Sequence, residues 1–390
     1  MDLDFSKLDD YLDKTGQDAY LIEADSEDSD QYYLSGFDAP DPFVTLYDGE
    51  VHLLFARSLE FGRAKRESRA ATVERYVDFD HTAYVEEHGR EEASSYVLRD
   101  FLDSYGVESV AVPPRFPLEV ADGLRERGVA VVADRDETVT DIRATKTDTE
   151  IDHVRTAQRA NEAAMAAAEE LLADAQIRDG TLYHEGDPLT SEAVRTEIEV
   201  TLLRHGCALD ETIVACGSDA ADPHDRGSGP LLADEPIIVD IFPRDKETKY
   251  HADMTRTFVR GEPSDTLQEW FELTNEAKEA ALAAVEPGVT GEAVHDAACD
   301  VYEEAGLPTL RADESAETGF IHSTGHGVGL DVHELPHVSP GGEALEPGHV
   351  ITIEPGLYDP DVGGVRIEDI VVVTEDGYEN FTDYPVELVV

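Results

Sequence analysis

The chain has 390 residues, 41% of them apolar, which is enough for two cores rather than one. Its 87 Asp and Glu against 30 Lys and Arg give a formal net charge of -57, a surface that repels nucleic acid and anionic membranes. No apolar run approaches the ~18 residues a membrane span needs. Three cysteines, Cys207, Cys216 and Cys299, with no CxxC pair, exclude a disulfide framework and a thiolate zinc site.

The first twenty residues carry acidic charge where a secretory leader has a basic start and an apolar stretch, so a cytoplasmic protein is expected. The acidic residues are interleaved with regular apolar positions, which marks a folded surface and not a disordered tail. With only seven Lys, the composition reads as adaptation to a salt-rich cytoplasm, where salt screens self-repulsion. In so acidic a chain a single Asp or Glu is most simply a solvated surface group. Only a place in a motif lifts one above that background.

In chain order, 19–22, 43–47, 51–56, 109–113 and 129–134 read as strands, and 84–106 and 117–128 as helices closed by Gly. The alternation predicts an α/β domain with helices on a mixed sheet over residues 1–143. No Gly-rich phosphate loop follows any of these strands. A capping box, Thr147 to Glu150, opens a long Ala-rich helix to about residue 173 and with it a second domain over 144–390. A helix over 190–206 lines up Val194, Ile198 and Leu202 at i, i+4, i+8, and two more follow at 264–285 and about 290–305. Strands at 211–217, 236–243, 252–261, 349–358 and 364–374 complete an α+β reading, a curved antiparallel sheet backed by helices.

Four segments of this second half concentrate ligand-type side chains. In IIVDIFPRDKETKYHADMTRTF, Asp240 ends an apolar run and Asp253 sits in the next strand of a hairpin. Carboxylates set into apolar strands are costly without a cation, and two on neighbouring strands repel unless a metal lies between them. FIHSTGHGVGLDVHELP places His322, His326 and His333 within twelve residues, with Gly325, Gly327 and Gly329 allowing close backbone approach and unusual dihedrals. ITIEPGLY sets Glu354 after a β-branched run, and GVRIEDIVVV puts Arg366 and Glu368 at i, i+2 on one strand face.

These four contexts, in this order, resemble the pita-bread metallopeptidase family over roughly residues 146–390. The family's ligand order of Asp, Asp, His, Glu, Glu is matched by Asp240, Asp253, His326, Glu354 and Glu368. One departure is Phe242, where the family usually has Gly, with an Asp240–Asp253 connection about two residues longer than usual. The resemblance implies two divalent ions, Mn²⁺ or Co²⁺ first and Fe²⁺ or Zn²⁺ next, as suits a hard, oxygen-rich set. It also implies Glu354 as the acceptor of the water's proton, and His224, His322 and His333 as substrate-binding or proton-shuttling groups. Arg366 would pair with a ligand or a substrate carboxylate, or form a purely structural ion pair. The N-terminal half, with YYLSGFDAP at 32–40, resembles the creatinase-like domain of the aminopeptidase P and prolidase branch. That branch implies a homodimer that cleaves the Xaa-Pro bond of peptides or dipeptides. A non-peptidase amide hydrolase of the ectoine-hydrolase type and a metal-free binding protein of the same fold stay open as alternatives.

If self-repulsion governs the bulk surface, raising KCl from about 0.1 M to about 2 M should increase the urea midpoint of unfolding. A flat or falling midpoint would refute it.

Overall fold

The computed structural model describes residues 3–390. The chain divides into two compact units, Met1–Arg143 and Ala144–Val390. The first is built on a six-stranded sheet of β1 (Ala19–Ala24), β2 (Phe43–Tyr47), β3 (Val51–Phe55), β4 (Thr72–Arg75), β5 (Ser109–Val112) and β6 (Ala130–Ala133), in the order β4-β3-β2-β1-β5-β6. The β1–β2 and β2–β3 pairs are antiparallel and the other three parallel, so the sheet is mixed. Its core joins Leu21, Val44, Leu46 and Val110 to Val97, Phe101 and Leu102 of helix α1 (Arg90–Ser104) and Leu124 of α2 (Leu118–Glu126). The helix expected over 84–106 is two helices, His81–His88 and Arg90–Ser104. They part at Gly89, whose φ of 87° no right-handed helix accepts.

The second unit opens on α3 (Asp148–Ala173), capped reciprocally by Thr147 and Glu150 as the capping box predicts. With α4 (Ser191–Arg204) it covers a three-stranded antiparallel sheet of β7 (Thr212–Cys216), β8 (Ile237–Ile241) and β9 (Met254–Phe258). Helices α5 (Asp265–Ala284) and α6 (Gly291–Glu304) share a second core with β11 (Glu334–Val338), β12 (Val350–Ile353), β13 (Gly356–Asp359), β14 (Gly363–Arg366) and β15 (Asp369–Thr374), and β10 (Gly325–Gly327) and β16 (Gly377–Asn380) complete the strands. The five-stranded sheet runs β11-β10-β12-β15-β16, and β13–β14 is a separate hairpin. Among the described residues no helix is long and apolar enough to cross a membrane.

Period-two alternation decides what each strand gives to the helices and what it gives to the other face. On β8, Ile237, Val239 and Ile241 enter the core under α3 and α4, while Ile238 packs with Tyr358 on the opposite side. Asp240 shares that opposite side with Ile238. On β9, Met254 and Phe258 go to the helices, which turns Asp253, Thr255 and Thr257 away from them. On β12, Ile351 and Ile353 are core, leaving Thr352 and Glu354 to the other face, and Val365 and Ile367 do the same for Arg366 and Glu368.

Two strands expected to be continuous are interrupted. The run 349–358 splits into β12 and β13, and 364–374 splits into β14 and β15. Glu354 lies in the first gap and Glu368 in the second. Asp253 lies one residue before β9 rather than inside it.

On α4, Leu202 is 1% exposed and its neighbour Leu203 is 62% exposed. Leu202→Ala should cost about 2–5 kcal/mol of unfolding free energy by urea titration. Leu203→Ala should stay within about 0.5 kcal/mol. Equal costs would show that the face of α4 is wrongly assigned.

Candidate metal centre

Hairpin β8–β9 sets Asp240 opposite Thr255. The connection to Asp253 is held at both ends: Arg244–Asp245 pairs with Cys207–Ala208, and the Tyr250 hydroxyl donates to Glu150 Oε1 at 2.6 Å. The connection therefore leaves the Asp240 register intact. On β10, the glycines flanking His326 are needed for close approach. A Cβ on Gly325 would lie 1.9 Å from the Thr352 carbonyl oxygen, and one on Gly327 would lie 2.1 Å from that of Leu335. Neither they nor Gly329 has a positive φ, so the unusual dihedrals expected there are not found.

Asp253, His326 and Glu368, all buried, each place a ligand atom within 4.8 Å of the others. Glu354 Oε1 is 3.2 Å from His326 Nε2 and accepts from Thr352 Oγ1 at 3.2 Å. Thr255 Oγ1 donates to Glu368 Oε2 at 2.8 Å. Asp240 joins from the side of Arg366, whose Nη2 donates to Asp240 Oδ2 at 2.7 Å.

Burial, followed by the charge of Asp240, raises the Asp253 carboxyl well above the usual range. Burial and the charges of Asp253 and Glu354 do the same to Glu368. Burial also raises Asp240, partly offset by Arg366. Glu354 goes the other way: burial opposes its charge, but the hydrogen bond from His326 and that group's charge bring it down to about 2. Burial likewise opposes the His326 imidazolium, and Glu354 outweighs it to lift the pKa to about 9. Carboxylates that repel one another in a buried space, with no thiolate among them, suit a hard divalent cation. The donor set fits divalent metal.

Arg366 is 3% exposed and turned inward. Besides Asp240, it donates from Nε to Thr255 Oγ1 at 3.2 Å and from Nη1 to the Tyr358 hydroxyl at 2.8 Å and the Pro223 carbonyl at 3.3 Å. Its carboxylate partner in the structure is Asp240. Tyr358, not singled out in the sequence, is the next link, because its hydroxyl also meets His322 Nε2 at 3.0 Å. The Ser323 carbonyl, 2.6 Å from His322 Nδ1, can only accept, so Nδ1 carries the proton and Nε2 accepts from Tyr358. Burial, with Arg366 nearby, lowers His322 to about 4 and keeps it neutral. The signal for Tyr358 was its place in EPGLY, four residues after Glu354.

His333 is exposed, its ring 4.1 Å from that of His326. His224 is exposed on the loop after β7. Two other histidines are structural. Burial holds His251 neutral, down to about 4, and His295 is buried with Nδ1 on Thr324 Oγ1 at 2.9 Å.

Strand, helix and site define a metal-dependent hydrolase. The chain belongs to metallopeptidase family M24, whose model matches residues 152–375. A creatinase/prolidase N-terminal domain model matches residues 5–145. Among relatives, the chain is 30% identical over 388 residues to a Xaa-Pro dipeptidase of Pyrococcus horikoshii, covering 98% of this chain and 97% of that one. The crystal structure of the prolidase from that organism superposes with a TM-score of 0.78 at 28% identity, covering 98% and 99% of the two chains. An X-Pro aminopeptidase from Thermotoga maritima gives a TM-score of 0.77 at 27% identity, covering 96% and 98%. The fold is accordingly a creatinase-type N-terminal domain followed by a pita-bread catalytic domain.

The raised groups set a pH dependence. In the metal-free protein Asp253, Glu368 and His326 hold protons that the unfolded chain has released, so this stability is lost as pH rises toward their folded values. Glu354, lowered to about 2, is ionised in both states above about pH 5 and adds no slope there. The gain in melting temperature on adding Mn²⁺ should therefore widen between about pH 5 and about pH 8. A gain independent of pH would contradict this account.

Proposed function

We propose that this protein hydrolyses the peptide bond between an amino acid and a following proline, with Xaa-Pro dipeptides as its substrates. The observation that carries the reading is the convergence of Asp240, Asp253, His326, Glu354 and Glu368 on one buried site. Similarity across nearly the whole chain to an enzyme named Xaa-Pro dipeptidase supports the proline specificity. Those five residues would hold two divalent ions, Mn²⁺ or Co²⁺ by the hardness of the donors. Such ions polarise a scissile carbonyl and lower the pKa of an attacking water.

The chain's own groups divide the remaining work. Glu354, whose Oε1 accepts from Thr352 Oγ1, takes the water's proton and returns it to the leaving proline nitrogen. His333 and His224, on the exposed side, contact the substrate and steady charge that develops on the carbonyl oxygen. His322 acts through Tyr358, fixing the hydroxyl against Arg366, which in turn orients Asp240.

Initial rates on Gly-Pro, Gly-Pro-Gly and Gly-Ala with Mn²⁺ test the proposal. Gly-Pro should be cleaved, a chelator should abolish turnover, and Asp253→Ala or Glu368→Ala should lower it by roughly a hundredfold or more. Cleavage of the tripeptide in preference to Gly-Pro would move the assignment to an aminopeptidase. Loss of neither proline substrate's turnover in Asp253→Ala would sink the two-ion mechanism.

A further inference from the structure

Strand β11 begins with a side chain that the hydrolytic scheme does not use. Glu334 is buried, and its Oε1 lies 2.5 Å from Lys146 Nζ, itself buried. Lys146 also donates to the Ala144 carbonyl at 3.1 Å, and its backbone N–H donates to that of Gly348 at 3.0 Å. Glu334 Oε2 accepts from the Asp331 backbone N–H at 3.4 Å. Gly329 completes the seat, since a Cβ there would lie 2.2 Å from Glu334 Oε1. The carboxylate is therefore laid against the turn 329–334 and tied to a lysine almost two hundred residues earlier in the chain.

Paired buried charges are a poor source of net stability, because desolvation offsets their attraction. What they fix well is geometry. His333, the residue before Glu334, is exposed where Glu334 is buried. Among the described residues, the His333 imidazole has its ring contact with His326 and no hydrogen bond to hold it. Its direction is thus set by the backbone that carries it, and that backbone is clamped by Glu334.

We infer that the Lys146–Glu334 ion pair is a positioning device for His333, aiming its imidazole at the substrate without touching the metals or the substrate itself. The inference rests on the reading of His333 as a substrate contact. Displacing a contact group by about an ångström costs up to about a hundredfold in rate. The pair should therefore matter to turnover far more than to metal affinity.

A double-mutant cycle on the Mn²⁺-loaded enzyme tests it, with Gly-Pro kinetics and calorimetric Mn²⁺ affinity as readouts. Glu334→Gln and Lys146→Met should each lower kcat/KM roughly 10- to 100-fold and leave the Mn²⁺ Kd within about twofold. In a His333→Ala background, Glu334→Gln should add no more than about a twofold loss. A full, multiplicative loss in that background, or a loss explained by weaker Mn²⁺ binding, overturns the inference. If a single variant fails to fold, Lys146→Met/Glu334→Gln removes both charges and leaves none unpaired in the interior. Wild-type turnover in that double variant also overturns it. His333→Ala with unchanged kinetics is a separate failure, since it removes the role of His333 and the inference with it.

Discussion

Four carboxylates that face one another in the interior are the constraint around which the second unit is arranged. Each would be tolerable on the surface of so acidic a protein, but together and buried they oppose one another, as the raised Asp253 and Glu368 carboxyls record. The strands that carry or flank them give their alternate residues to a helix-backed core. The price of bringing like charges together is met by apolar packing on the reverse of the same strands. This is why Asp240, Thr255, Thr352 and Arg366 share a face although they come from four separate segments.

Much of this was legible before any coordinates. The helices α3, α4, α5 and α6 follow from apolar spacing and a capping box, and Asp240, Asp253, His326, Glu354 and Glu368 follow from motif context. The misjudged features have local physical causes. A single glycine at φ 87° split one helix, which apolar periodicity alone does not register. The break at Glu368 was hidden because β-branched residues on either side read as continuous strand, whereas Pro355 and Gly356 did mark the one after Glu354.

The polar links were the least legible. That Arg366 spends itself on Asp240, Tyr358 and Pro223, and that His322 is held as an acceptor by Tyr358, depends on contacts spanning up to 143 residues of sequence. No spacing rule reaches so far. The Pro223 contact also ties the loop bearing His224 to the residue that steadies Asp240, so substrate loop and ligand share one guanidinium.

Glu368 and Asp369 are neighbours in the chain and opposites in circumstance. Glu368 faces the centre. Asp369 faces away and is met by two cations the chain supplies itself, Arg256 Nη2 at 2.9 Å and Lys278 Nζ at 2.8 Å. Burial opposes its charge, yet those two partners hold its carboxyl below the usual range. One peptide unit thus separates an acid neutralised from within from an acid whose counter-charge must be recruited from solution. A descendant of this chain that abandoned metals would have to copy on the front what already stands on the back: one long basic side chain reaching in from a helix and another from the adjacent strand.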